Sequence, residues 1–105
     1  MKKGFLILVA LIGFVIGANA QNNFRGEPSL CWNNEKITFY SDFTFKMWDN
    51  GVLALSGTYK YDKGKAVINL RLSNGSELQM TQVNVDQYGA LQRAQFRSYW
   101  YNKCR

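Results

Sequence analysis

The sequence contains no histidine, one proline and two cysteines, and seven acidic residues stand against thirteen lysines and arginines. Each shortage removes a class of function. Without histidine, the side chain most often used for general acid–base catalysis is missing. Cys31 and Cys104 lie far apart and make neither a zinc-ligand set nor a C-x-x-C redox pair. No metal and no other cofactor is expected. No compact block of Lys and Arg occurs, which argues against nucleic acid as a partner. The apolar run from Phe5 to Ile16 is twelve residues long, short of the roughly 20 needed to cross a bilayer as a helix.

That run has another use. It follows Lys2 and Lys3 and precedes the small-x-small triplet Ala18-Asn19-Ala20. The order positive, apolar, small predicts a secretory signal peptide over residues 1–20, cleaved to leave Gln21 at the front. No cysteine follows the cleavage site, so a lipid anchor at that position is excluded. The expected product is secreted or periplasmic, with no membrane span after cleavage. Residues 21–105 retain eleven basic and seven acidic side chains. This mild excess favours anionic partners such as acidic glycans or lipid headgroups, against the plainer reading of a solvated basic surface. Export also places both cysteines in an oxidising compartment, so a Cys31–Cys104 disulfide is expected. Closing a loop of that length removes on the order of 4 kcal/mol of unfolded-chain entropy, which matters for a domain this small.

What the sequence does contain is alternation. Ile37 and Phe39 alternate with Thr38 and Tyr40; Phe43, Phe45 and Met47 alternate with Thr44, Lys46 and Trp48. A period of two puts each set on one face of a strand. Asn50-Gly51 tolerates the positive φ angles of a tight hairpin. Leu53, Leu55, Tyr59 and Tyr61 continue one face of the next strand, and Gly57 inside it suggests a bulge or bend. After a turn at Asp62 to Lys65, Ile68, Leu70 and Leu72 read as inward, and Asn74-Gly75 repeats the hairpin signal. Asn74-Gly75-Ser76 is also a glycosylation sequon, a use that the sequence leaves open. From Ser76 to Asp86 the apolar phase switches near Thr81-Gln82, which predicts a bulge. In the last strand, Ala90 to Lys103, Ala94, Phe96 and Trp100 share one face. Arg93, Arg97, Tyr99 and Tyr101 share the other.

The expected fold is therefore all-β. It is a six-stranded antiparallel meander over residues 35–105, curled into a small, partly closed barrel, after an irregular N-terminal arm over residues 21–34. An open sheet covered by the arm is the alternative.

Ile37-Thr38-Phe39, Asp42-Phe43-Thr44-Phe45, Ser56-Gly57-Thr58-Tyr59 and Ile68-Asn69-Leu70 resemble the strands of small secreted lipocalin-like domains of bacteria. The resemblance implies a barrel-type binding fold. One function on such a fold is carriage of a small apolar ligand, here in an interior lined by Phe43, Phe45, Leu55, Ile68 and Phe96.

No catalytic residues are expected. Paired carboxylates, as in glycan hydrolases, are the one enzymatic option, and Asp42, Asp49, Asp62 and Asp86 all fall at turns, where Asp serves the backbone. Binding rests on aromatics and arginine, the residue types that anchor interfaces. The candidate set is Tyr40, Trp48, Arg93, Arg97, Tyr99 and Tyr101, read as outward. Their partner would be an extracellular or periplasmic macromolecule or glycan, and a hydrolase inhibitor is one such binding module. Two plainer readings compete: rings that are only cross-strand pairs on a sheet surface, and inward and outward faces that are reversed.

Overall fold

The computed structural model describes residues 23–105; the expected signal peptide and its cleavage site lie outside the described residues. The described chain forms eight antiparallel strands. They are β1 (Ser29–Trp32), β2 (Glu35–Phe39), β3 (Thr44–Asp49), β4 (Val52–Asp62), β5 (Val67–Leu72), β6 (Glu77–Val85), β7 (Leu91–Phe96) and β8 (Tyr99–Lys103). Each pairs with the next, and β1 pairs with β8 to close the barrel. An eight-stranded barrel is just wide enough for side chains to fill its interior. Leu30, Ile37, Phe39, Phe45, Met47, Tyr59, Ile68, Leu70, Met80, Leu91, Ala94, Phe96 and Tyr101 are buried there, as a period of two requires.

The fold is all-β as expected, but the barrel is fully closed and has eight strands rather than six. Both additional strands arise at turns without glycine. Asn33, at φ 56°, reverses the chain between β1 and β2. A third of the segment expected to be an irregular arm is thus a barrel strand. Arg97 and Ser98, at φ 53° and 73°, split the expected last strand into β7 and β8. Left-handed backbone is uncommon at Arg and Ser, whereas Asn adopts it more readily, so of these two turns only Asn33-Asn34 carries a signal in the sequence. Glycine-marked turns fall where expected: Asn50 and Gly51 both have positive φ, as does Gly75. The register shifts between Thr81 and Asn84, with Gln82 at φ 51°, at the anticipated phase switch.

Gly57 has a different role from the one expected. It stays in register with Phe45 on β3 and Leu72 on β5. A Cβ built on it would lie 1.9 Å from the Arg71 carbonyl oxygen, so strand approach alone demands glycine there. The irregularity lies further along, between Met47 and Trp48 opposite Leu55 and Leu53. It passes Leu53 to the outer face beside Trp48 and leaves it 51% exposed.

The β1–β8 seam has two partner pairs, Leu30–Lys103 and Cys31–Asn102. The Cys31–Cys104 disulfide crosses it, with Cα atoms 5.1 Å apart, and the Cys104 amide donates to the Ser29 carbonyl at 3.1 Å. Phe24 plugs the end of the barrel nearer the N-terminus, packing on Phe39, Tyr59 and Tyr61. Among the described residues, no helix is long and apolar enough to cross a membrane.

Candidate functional site

The six candidate residues divide among three places. Tyr40 belongs to the β2–β3 turn at the plugged end. Its carbonyl accepts a hydrogen bond from the Tyr59 hydroxyl at 3.0 Å, and its amide donates to the Thr44 carbonyl at 2.9 Å. These bonds fasten a turn, and nothing brings Tyr40 to the other five. Burial pushes the Tyr59 phenol up to about 12, with the Asp42 and Glu27 charges adding to it.

Arg97, Tyr99 and Tyr101 sit at the opposite end. Tyr101 was expected to face outward and is instead fully buried. The physical reason is the Arg97-Ser98 turn. It pairs Ala94 with Tyr101 and Gln95 with Trp100, so Tyr101 joins the inward side and Trp100 moves outward. The Tyr101 hydroxyl donates to Glu35 Oε1. Arg97 donates to the same Oε1 at 2.7 Å and to the Tyr101 oxygen at 2.9 Å. Burial, followed by the bond to Glu35, pushes the Tyr101 phenol up to about 12. Glu35 is thereby matched by a cation and held as an acceptor. Beside this triad Tyr99 is 48% exposed and stacks on Trp32, with ring centroids 4.1 Å apart.

Trp48 and Arg93 occupy the third place, the outer face across the seam. Cross-strand partners share a face of a sheet. On that face Trp48 stands opposite Lys36, Lys36 opposite Cys31, Cys31 opposite Asn102, and Asn102 opposite Arg93. The band therefore runs across β3, β2, β1, β8 and β7. A cation rests on an indole near each end. Lys36 Nζ is 5.2 Å from the Trp48 ring centre, and the Arg93 guanidinium is 3.8 Å from that of Trp100. Both indoles are half-buried, while Lys36, Lys46 and Arg93 are exposed.

Among the described residues no Asp or Glu side chain is placed on this face. Glu35 and Asp49 pair with each other on the inward side of their strands. Glu27 bonds the Ser41 amide, and Glu77 pairs with Arg71. Asp42, Asp62 and Asp86 accept amides of their own turns. Of the two ion pairs among the described residues, Arg71–Glu77 and Arg97–Glu35, neither involves Lys36, Lys46 or Arg93.

Four residues of these clusters escape a reading of the sequence. Trp32 and Glu35 flank the β1–β2 turn, and the double asparagine at 33–34 is the signal that could have placed them. Trp100 reads as inward from the sequence because nothing in Arg97-Ser98 announces a turn. Lys36 gains meaning only from its neighbour Trp48 on the next strand. Comparison of the chain with family models, with curated proteins and with solved structures found no match.

Proposed function

We propose that this chain is an exported binding module, secreted or periplasmic, that recognises a macromolecule or glycan through the outer face over its disulfide seam. The observation that carries this reading is the Arg93 guanidinium 3.8 Å above the Trp100 ring, in register with Lys36 and Trp48 across five strands. Arginine and tryptophan are the side chains most often found at binding hot spots. Stacking on a half-buried indole restricts the guanidinium before any partner arrives, which lowers the ordering cost of binding. The disulfide supports an oxidising compartment.

Two observations favour this reading over its competitors. A carrier needs an open interior, and Phe45, Ile68 and Phe96, which would line it, belong to one cluster of buried side chains with Leu30, Ile37, Phe39 and Tyr101, as in an eight-stranded barrel filled by its own side chains. A carboxylate hydrolase needs a free acid–base pair, and Glu35 is engaged by Arg97 and Tyr101.

The test is retention by the immobilised chain from the extracellular or periplasmic fraction of its host, compared with a Trp48→Ala/Arg93→Ala variant. Loss of a hot spot weakens binding by about 2 kcal/mol or more, so the variant is expected to lose most of the retained material. Equal retention by both proteins would overturn the assignment of the face.

A further inference from the structure

Resting on that reading, we infer that the band binds an acidic polysaccharide laid across the strands, its carboxylates met by Lys36, Lys46 and Arg93 and its sugar rings seated beside Trp48 and Trp100. Charge complementarity is the first ground. The face presents three exposed cations outside any ion pair among the described residues, and none of the seven acids projects from it. A neutral or cationic partner would leave those charges unmatched.

Spacing and ring geometry supply the second ground. From Trp48 on β3 to Arg93 on β7 there are four inter-strand steps, about 19 Å along the sheet at the usual strand separation. A cation–indole pair lies near each end of that length, with Cys31 and Asn102 between them. A nucleic acid strand carries about one charge per 3.4 Å and would be poorly neutralised by so sparse a set. A carboxylated glycan carries one charge per sugar and an apolar C–H face on each ring, which suits a cation beside an aromatic plane. A lipid surface calls for side chains that project and insert. Here both indoles lie half-buried under their cations.

The third ground is rigidity. The disulfide lies in the middle of the band, because Cys31 is the cross-strand partner of both Lys36 and Asn102. The two cation–indole pairs are therefore held at a fixed separation, as an extended ligand needs.

The experiment uses the chain purified after export, with its disulfide intact. Polygalacturonate is the probe, and its fully methyl-esterified form is the uncharged control on the same backbone. Binding is expected to polygalacturonate, to weaken with added salt, and to fall at least tenfold for the ester. Lys36→Gln/Arg93→Gln should weaken it at least tenfold while the protein stays folded at the assay temperature. Trp48→Leu/Trp100→Leu should weaken polygalacturonate more than inorganic polyphosphate, which carries charge and no sugar ring. If the tryptophan variants fail to fold, the surface charge variant still decides the matter. Equal binding of acid and ester, binding untouched by Lys36→Gln/Arg93→Gln, or preference for phosphatidylglycerol vesicles or DNA would each overturn the inference. Failure on polygalacturonate alongside retained, Trp48- and Arg93-dependent capture of another macromolecule would remove the ligand class and leave the binding face standing.

Discussion

Two outer faces of one barrel answer the same problem differently. Across β4, β5 and β6 two pairs of exposed polar side chains satisfy each other. Arg71 pairs with Glu77 at 2.9 Å, and the Gln79 amide donates to Asn69 at 2.8 Å. These residues border a shallow groove of about 620 Å³ with Thr58 and Lys60, in which the one arginine and the one acid are paired with each other. Across β3, β2, β1, β8 and β7 the cations instead lie over tryptophan rings, and no carboxylate joins them. Both faces come from alternating strands of similar composition. The difference is where the acids went: to turns, to the barrel end and to β6. A face that satisfies itself contributes to solubility, whereas a face of unmatched charge beside apolar rings is suited to recognition.

The largest effect that would sharpen this comparison concerns the seam. Removing the disulfide with Cys31→Ser/Cys104→Ser should cost about 2–5 kcal/mol, read by denaturant unfolding. The β1–β8 ladder has only two partner pairs to hold the band together without it. An unfolding midpoint unchanged by reduction would mean that the seam does not depend on sulfur. On the opposite face the sensitive point is backbone. Gly57→Ala forces a Cβ onto the Arg71 carbonyl and should cost at least the ~1–3 kcal/mol typical of overpacking, because backbone cannot step aside as a side chain can.

The pH limbs come next. A bond from the Ala90 amide, joined by one from Tyr88, holds Asp86 below its ordinary 3.8, and Thr44 does the same for Asp42. Such groups stabilise the fold above their unfolded value, and that contribution is lost as pH falls through the lowered native value. Tyr59 and Tyr101, both pushed up to about 12, act in the opposite window. Their contribution is complete below about 10 and lost as pH rises toward 12. Melting temperature should thus fall at both extremes, and Tyr101→Phe should flatten the alkaline limb. An alkaline limb identical in that variant would remove Tyr101 from the account.

The smallest effects test the faces directly. Neutralising the Arg71–Glu77 pair as Arg71→Gln/Glu77→Gln should change stability by less than about 1 kcal/mol, as for exposed pairs generally. Lys36→Gln/Arg93→Gln removes two exposed cation–π contacts and should cost about 1–2 kcal/mol in stability, since each is worth about 0.5–1 kcal/mol. The contrast lies in binding, where only the second change should register. Equal binding losses from both would erase the distinction between the faces.

The outcome at individual residues shows how far the chain could be read in advance. Asn50-Gly51 and Asn74-Gly75 gave their hairpins away, because positive φ selects for those residues. Ile37, Phe39, Phe45 and Met47 lie inside as their alternation required. Trp48 and Arg93 face outward as expected. Tyr101 does not, because a two-residue reversal through Arg97 and Ser98 changes the phase of everything after it. Local sequence carries no mark of that reversal. Its left-handed Arg97 is held by a bond to Glu35, sixty-two positions away, and by a second to Tyr101 on β8.

The amino-acid order by itself determined the strand class, most of the corners and the one possible disulfide, since periodicity, turn propensity and a single pair of cysteines are local or countable properties. Only the tertiary structure decided that the first and last strands meet, that Tyr101 is core, and that two separate cation–indole pairs fall on one face with no acid between them. Those facts depend on register around a closed barrel, which is set by the fit of all eight strands at once and belongs to no segment alone.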